Sequence, residues 1–245
     1  MIRTIKSILK PLKIRLMMLY ALLKRKQNKK QRPNYKCTID TKRCFGNSLS
    51  PSYRYEYFGE NTPVCCATHL YNILRDVAKV LEDSGIEYFI SFGTLLGAVR
   101  HKGLIPWDTD IDIIIPQRVK SDAIEVLQKH LPSNYVVLQD RDDNIVGSLV
   151  RVNLSKVNTL HIDLFTYIEE DEKIVFGYQR NFFKKDIFPL RKVEFYDLSL
   201  YAPKDINRQL TTFYGDDFME YAYKQWALNK TKFKITDYSP AKIEI

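Results

Sequence analysis

The tightest constraint on the fold of this chain is the run Asp110-Ile111-Asp112-Ile113-Ile114-Ile115, stopped by Pro116. Successive β-branched residues favour an extended backbone, and a proline cannot donate to the next rung of a sheet ladder. Strand side chains alternate between faces, so Asp110 and Asp112 point one way while Ile111, Ile113 and Ile115 point into a core. The chain therefore needs a sheet that is buried on one face and acidic on the other. Two adjacent carboxylates repel each other unless a hard divalent cation lies between them, and Mg²⁺ accepts such oxygen ligands together with substrate phosphates. The same pair also reads as an acidic strand end facing water.

Around this strand the pattern alternates between helix and strand. Leu70, Ile73, Leu74, Val77, Val80 and Leu81 recur at steps of three and four after Thr68, which predicts an amphipathic helix with Gly85 as its stop. Residues 86–91 read as a strand, 92–94 as a turn and 95–100 as the start of a second helix. Beyond Pro116, a helical pattern runs through Val119, Ala123, Val126 and Leu127. Residues 135–138, 145–152 and 157–167 read as strands, the first two joined across Asp140-Arg141-Asp142-Asp143-Asn144. The pattern weakens after Gly177, although 203–214 and 218–226 read as helices. The expectation is an α+β fold, a mixed β-sheet flanked by helices.

The charge is unevenly distributed. Of 38 Lys and Arg residues, twelve lie in residues 1–36, which contain no acid; the remainder of the 245-residue chain has 26 basic against 29 acidic residues. A fold that grips a polyanion needs its cations on the fold, so no nucleic acid is expected as a partner. The apolar stretch Leu16 to Leu23 covers eight residues, short of the roughly 20 that span a bilayer. With lysines and arginines on both sides, it reads either as a helix lying on an anionic membrane surface or as a solvated basic tail. The expected location is peripheral on a membrane, with the cytoplasmic face and the Golgi both open.

Three further features join the acid pair. Gly93 and Gly97 in Gly93-Thr94-Leu95-Leu96-Gly97 allow a tight turn into a helix whose first amides, around Thr94, can hold phosphate oxygens. Close helix packing is the alternative. Arg100 adds a candidate bidentate phosphate contact. In His161-Ile162-Asp163-Leu164-Phe165 the alternation sends Asp163 away from the core, where it becomes a third carboxylate if that strand lies beside the Asp110 strand. Asp163 is then also a candidate acceptor for the proton of an attacking hydroxyl. Trp107 is a candidate for stacking on a base or sugar, with packing as the alternative. Arg151 is a candidate phosphate contact or a surface charge.

All four cysteines, Cys37, Cys44, Cys65 and Cys66, precede the first helix, and the 179 residues after them have none. Such clustering in a polar segment points to one cross-linked unit. Four thiolates suit tetrahedral Zn²⁺, but the spacing is not the usual Cys-x₂-Cys, so zinc, two disulfides and free buried thiols all remain open.

The segment from Gly93 to Asp112, Ile162-Asp163-Leu164-Phe165, the Phe188-Pro189-Leu190 and Phe195 region, and Pro203, Leu210 and Tyr214-Gly215-Asp216 resemble the LicD/fukutin family of phosphotransferases. The resemblance covers roughly residues 65–226. It implies a nucleotidyltransferase-like fold with Asp110 and Asp112 as paired ligands of Mg²⁺ (or Mn²⁺) and Asp163 as the third. It also implies transfer of a phospho-alcohol, ribitol 5-phosphate or phosphocholine, from a CDP-alcohol donor to a glycan hydroxyl with release of CMP. The cysteine arrangement is similar to the zinc loop of the fukutin-related branch, which implies structural Zn²⁺ on Cys37, Cys44, Cys65 and Cys66. The expected organisation is a basic segment 1–36, a zinc loop 37–66, a catalytic domain 67–230 and a tail 231–245. A non-catalytic glycan- or membrane-binding protein that keeps the fold is the alternative, and three retained acids argue against it.

Overall fold

The computed structural model describes residues 36–44, 61–139, 148–176, 180–226 and 229–244. The basic apolar N-terminal segment and the turn read at 140–144 lie outside the described residues. Among the described residues no helix is long and apolar enough to cross a membrane.

Helix α1, Val64–Asp83, forms because its apolar positions fall on one stripe: Leu70, Ile73, Leu74, Val77 and Leu81 are fully buried. It ends where predicted, with Gly85 at φ +68°, a conformation that glycine adopts without a Cβ clash. Strand β1 (Phe89–Ile90) is shorter than the stretch 86–91 read from sequence, and α2 (Phe92–Arg100) starts three residues earlier than expected. Then follow β2 (Asp112–Pro116), a short 3₁₀ turn, α3 (Lys120–His130), β3 (Val136–Gln139), β4 (Leu149–Asn153) and β5 (His161–Glu170).

These strands build a mixed sheet in the order β1-β2-β5-β4-β3, in which β2 and β5 are parallel and the other pairs along this path antiparallel. One face carries Ile111, Ile113, Ile115, Ile162, Leu164, Val150 and Val152, all in the main core beneath α1 and α3. The alternation read from sequence thus sets the inner face correctly. The far half of β5 also pairs with β6 (Lys173–Phe176), and β6 with β7 (Arg180–Phe183). There the opposite face is covered too: Ile114, Phe89, Tyr167, Phe176 and Phe182 form a second, aromatic core. Among the described residues, Asp112 and Asp163 are not members of this aromatic cluster.

After a single helical turn, α4 (Lys184–Ile187), the chain makes a hairpin of β8 (Arg191–Phe195) and β9 (Leu198–Ala202) and then α5 (Ile206–Tyr214), which is capped by the Asp205 carboxylate accepting from the Arg208 amide. Residues 218–226 do not form the expected helix. They contain β10 (Tyr221–Trp226), paired with β11 (Asn229–Lys234), where aromatic residues suit an extended backbone and the partner strand completes the ladder. The boundary read at 230 therefore falls inside a hairpin.

The remaining residues form a strap over the molecule rather than a loose tail. The Ala241 amide donates to the Leu104 carbonyl at 2.9 Å, Tyr196 Oη donates to the Ala241 carbonyl at 2.7 Å, and the Glu244 amide donates to Thr68 Oγ1 at 2.9 Å.

Candidate active site

Sheet register brings the predicted acids together. Asp112 on β2 is the direct partner of Asp163 on β5, and Asp163 is the direct partner of Arg151 on β4. Carboxylate, carboxylate and guanidinium thus stand in one row on the face away from the main core. Asp110 lies two residues before Asp112, just outside the strand and half-buried. Two backbone bonds hold the start of the row in register: the Asp163 amide donates to the Ile111 carbonyl at 2.8 Å, and the Ser91 amide to the Asp112 carbonyl at 3.2 Å.

Helix α2 meets the row at its N-terminus. Thr94 Oγ1 accepts from the Asp112 amide at 2.8 Å, so the buried Thr94 hydroxyl ties the first turn of α2 to the first residue of β2. Phe92 opens the helix at φ +45°, a left-handed conformation that costs a non-glycine residue about 1–2 kcal/mol. Packing of its ring against Phe213 at 4.6 Å and Phe165 at 5.8 Å holds it there. Gly93 serves close approach: a Cβ on it would stand 2.6 Å from Asp108 Oδ2. Gly97 does the same elsewhere, since a Cβ there would stand 2.4 Å from the Gly103 carbonyl oxygen, whose loop folds back beneath the helix. The packing alternative for Gly97 is the one the structure realises.

Asp108 and Tyr214 belong to this site and were not singled out from sequence. Asp108 faces Gly93, with Oδ1 accepting from the Thr109 amide at 2.9 Å. Tyr214, the last residue of α5, has its phenol pushed well above its usual range by burial and then by the nearby carboxylates of Asp108, Asp112 and Asp110. The signal for Asp108 was present, because positions 108, 110 and 112 share parity. Tyr214 is brought in by helix packing over a hundred residues away; the sequence shows it as part of the Tyr214-Gly215-Asp216 motif, without a role in the site.

Arg100 is placed differently from its predicted role. It is 5% exposed; Nη1 donates to the Phe218 carbonyl at 2.7 Å and Nε to His101 Nε2 at 3.0 Å, and burial lowers its pKa to about 10. It ties α2 to the segment after α5 instead of presenting a fork to solvent. Trp107 is half-buried and packs edge-on against His101 at 6.0 Å and Phe233 at 5.6 Å. Arg151 forms a bidentate pair with Asp163, Nε to Oδ1 at 2.7 Å and Nη2 to Oδ2 at 2.9 Å. His161 Nε2 stands 3.8 Å from the same Oδ1, with its pKa lowered by burial against the pull of Asp163.

Carboxylate oxygens are the donors a hard divalent cation takes. Among the described residues, however, the group of three or more His, Cys, Asp or Glu ligand atoms drawn within 4.8 Å of one another is the cysteine cluster, not the acids. The acid row is more open, with Asp163 turned into the fork of Arg151.

The cysteines do form one unit, and it could bind a metal ion. The four thiols are unbridged, with Sγ–Sγ separations of 3.6 Å for Cys37–Cys65, 3.6 Å for Cys37–Cys66 and 3.3 Å for Cys44–Cys65. A tetrahedral ion about 2.3 Å from each sulfur sets edges of about 3.8 Å, a small expansion of this arrangement. The adjacent Cys65 and Cys66 lie in the first turn of α1. Thiol hydrogen bonds from Cys44, Cys65 and Cys66 hold Cys37 far below its usual value. The knot docks on the turn before β5, with Asn158 Nδ2 donating to the Thr38 carbonyl at 3.0 Å and Ser155 Oγ donating to that of Ile39. It also carries Arg43, whose Nη2 donates to the Thr109 carbonyl at 3.4 Å beside the acids.

Residues 85–205 match the family described as LicD/FKTN/FKRP, nucleotidyltransferase domain. The chain is 29% identical to the ribitol 5-phosphate transferase FKRP of Mus musculus over 194 residues, 75% of this chain and 39% of that one. It is 34% identical to the Homo sapiens FKRP over 135 residues, 54% of this chain and 27% of that one. It is 27% identical to the lipopolysaccharide cholinephosphotransferase LicD of Haemophilus influenzae over 118 residues, 43% of this chain and 44% of that one. The match thus spans less than half the length of each of these relatives. Among solved structures, the lincosamide adenylyltransferase LnuA superimposes with a TM-score of 0.41 at 14% identity, over 60% of this chain and 84% of that one.

Proposed function

The chain belongs to the LicD/FKTN/FKRP nucleotidyltransferase family, and from that premise we propose that it is a metal-dependent transferase. It moves a phospho-alcohol, ribitol 5-phosphate or phosphocholine, from a CDP-alcohol donor to a glycan hydroxyl and releases CMP. The observation that carries this reading is the row of Asp112, Asp163 and Arg151 in direct register, with Asp110 and Asp108 beside it and the N-terminus of α2 tied to it through Thr94. Its relatives bear the names of phosphotransferases, which supports the reaction class.

In this reading Asp110, Asp112 and Asp163 hold Mg²⁺ or Mn²⁺. The ion, when bound, would neutralise charge on the donor's two phosphates and stabilise CMP as it leaves. The first-turn amides of α2, at the positive end of its dipole, receive phosphate oxygens. Thr94 keeps that turn in line with Asp112. Asp163 accepts the acceptor hydroxyl's proton on a carboxylate oxygen. Trp107, one residue before Asp108, is the candidate to stack on a sugar or base. Phosphoryl transfer asks the protein for alignment and charge compensation more than for covalent chemistry, and these groups supply both. The cysteine knot holds structural Zn²⁺, and residues 1–36 bring the enzyme to an anionic membrane surface.

The test is metal-dependent CMP release from CDP-ribitol and CDP-choline, with glycan acceptors present and absent. Asp112→Asn should lower the rate by about 10³-fold or more with the melting curve preserved. Normal CMP release by that variant, or no release by the parent protein from any CDP-alcohol, would overturn the reading in favour of a binding protein.

A further inference from the structure

Asp163 has a different neighbour on each side. Asp112 stands beside it on β2, and Arg151 stands beside it on β4 with a two-bond fork across both carboxylate oxygens. The two partners differ in freedom. The Asp163 side chain is 10% exposed and rooted in the middle strand, whereas that of Arg151 is 28% exposed and reaches towards solvent. The bidentate guanidinium of Arg151 is the cation bonded to both Asp163 oxygens in this structure.

A divalent ion held by Asp112 and Asp163 would draw on those same carboxylate oxygens. Guanidinium and ion cannot both sit close to them without repelling each other. A guanidinium fork fits a phosphate as well as it fits a carboxylate, and the donor brings two phosphates to this face. Resting on the transferase reading above for Asp163 as a metal ligand, we propose that Arg151 is an exchangeable counter-ion: it occupies Asp163 in the metal-free protein and passes to the donor's diphosphate when the ion takes the carboxylate. The openness of the acid row follows from this, since one acid is held by its own cation until the ion arrives.

The exchange predicts effects of opposite sign at one residue. Mn²⁺ binding to the full-length, zinc-replete protein is measured by the loss of the free-ion electron paramagnetic resonance signal without nucleotide, and CDP binding by calorimetry at saturating Mn²⁺. Arg151→Gln should bind Mn²⁺ about fivefold more tightly than the parent, having lost a competing charge, and CDP about tenfold more weakly. Arg151→Lys keeps the charge without the fork, so its Mn²⁺ affinity should stay within about twofold of the parent while CDP binding still weakens. It also serves if the glutamine variant fails to fold. Mn²⁺ affinity that is unchanged or reduced in Arg151→Gln, with Asp112→Asn still abolishing binding, would make Arg151 a fixed support for Asp163 and refute the exchange alone. Absence of Mn²⁺ binding in the parent protein would remove the metal-site reading and the exchange with it.

Discussion

His101 sits at the hinge between α2 and the loop that leads to the acids. It is 1% exposed, accepts from Arg100 on Nε2 and gives its Nδ1 proton to the Ser239 carbonyl at 3.2 Å. Burial, then the positive charge of Arg100, lowers its pKa from 6.5 to about 4. The unfolded chain takes up a proton as the pH drops through 6.5, while the folded ring stays neutral until about 4. Stability from this residue is therefore complete above pH 6.5 and is lost between 6.5 and 4, by at most about 3 kcal/mol. Denaturant midpoints at pH 7 and 4.5 should show a larger acid loss in the parent than in His101→Gln; equal losses would mean that the ring is not held neutral. At this scale the sequence was legible where strand alternation fixes direction, as for Asp112 and Asp163. It misled for Arg100, because a cation in a glycine-rich helix reads the same whether it meets a phosphate or a buried carbonyl.

Among the elements, the strap at 235–244 has the least visible origin and a direct bearing on the site. Its sequence, Ile-Thr-Asp-Tyr-Ser-Pro-Ala-Lys-Ile-Glu, has no clear periodicity, so it reads as a tail. Its order comes from contacts made far away in the chain, with Tyr196 on the turn between β8 and β9 and with Leu104. Gly103 is the position where this packing is closest: a Cβ there would stand 2.6 Å from the Tyr196 ring and 2.8 Å from Pro240. Gly103→Ala should destabilise the protein by about 2 kcal/mol and speed amide exchange at Ala241, measured by hydrogen exchange. Unaltered protection at Ala241 would show that the strap is anchored elsewhere. Helix α1 and strands β2 and β5 were readable because each has a strong period and buries an entire stripe or face. The hairpin β10–β11 was not, because Phe218 to Trp226 satisfies a helical spacing in isolation and only the partner strand decides the matter.

At the scale of the molecule, the cysteine knot clamps a short N-terminal segment to the main core. It binds residues 36–44 to the start of α1, and through Thr38 and Ile39 to the turn before β5. If it holds zinc, the purified protein should contain one equivalent that a strong chelator removes, with a fall in melting temperature of several degrees that Cys44→Ser reproduces and does not add to. A chelator without effect on melting would leave the thiols as packing groups. That four cysteines act together could be read from their clustering. The way they meet could not, since two of them are adjacent and reach a common point only because a helix begins beneath them.

The parallel pairing of β2 with β5 has one more consequence, which concerns time rather than shape. Asp112 and Asp163 lie fifty-one positions apart, with α3, β3 and β4 between their strands in the chain. Contacts that distant in sequence are made late, after the cost of closing the intervening loop has been met. The row of charges is thus assembled by the same event that completes the sheet. A chain caught part-way through refolding has every residue of the site and none of its arrangement, so a nascent chain cannot handle substrate before its architecture is finished.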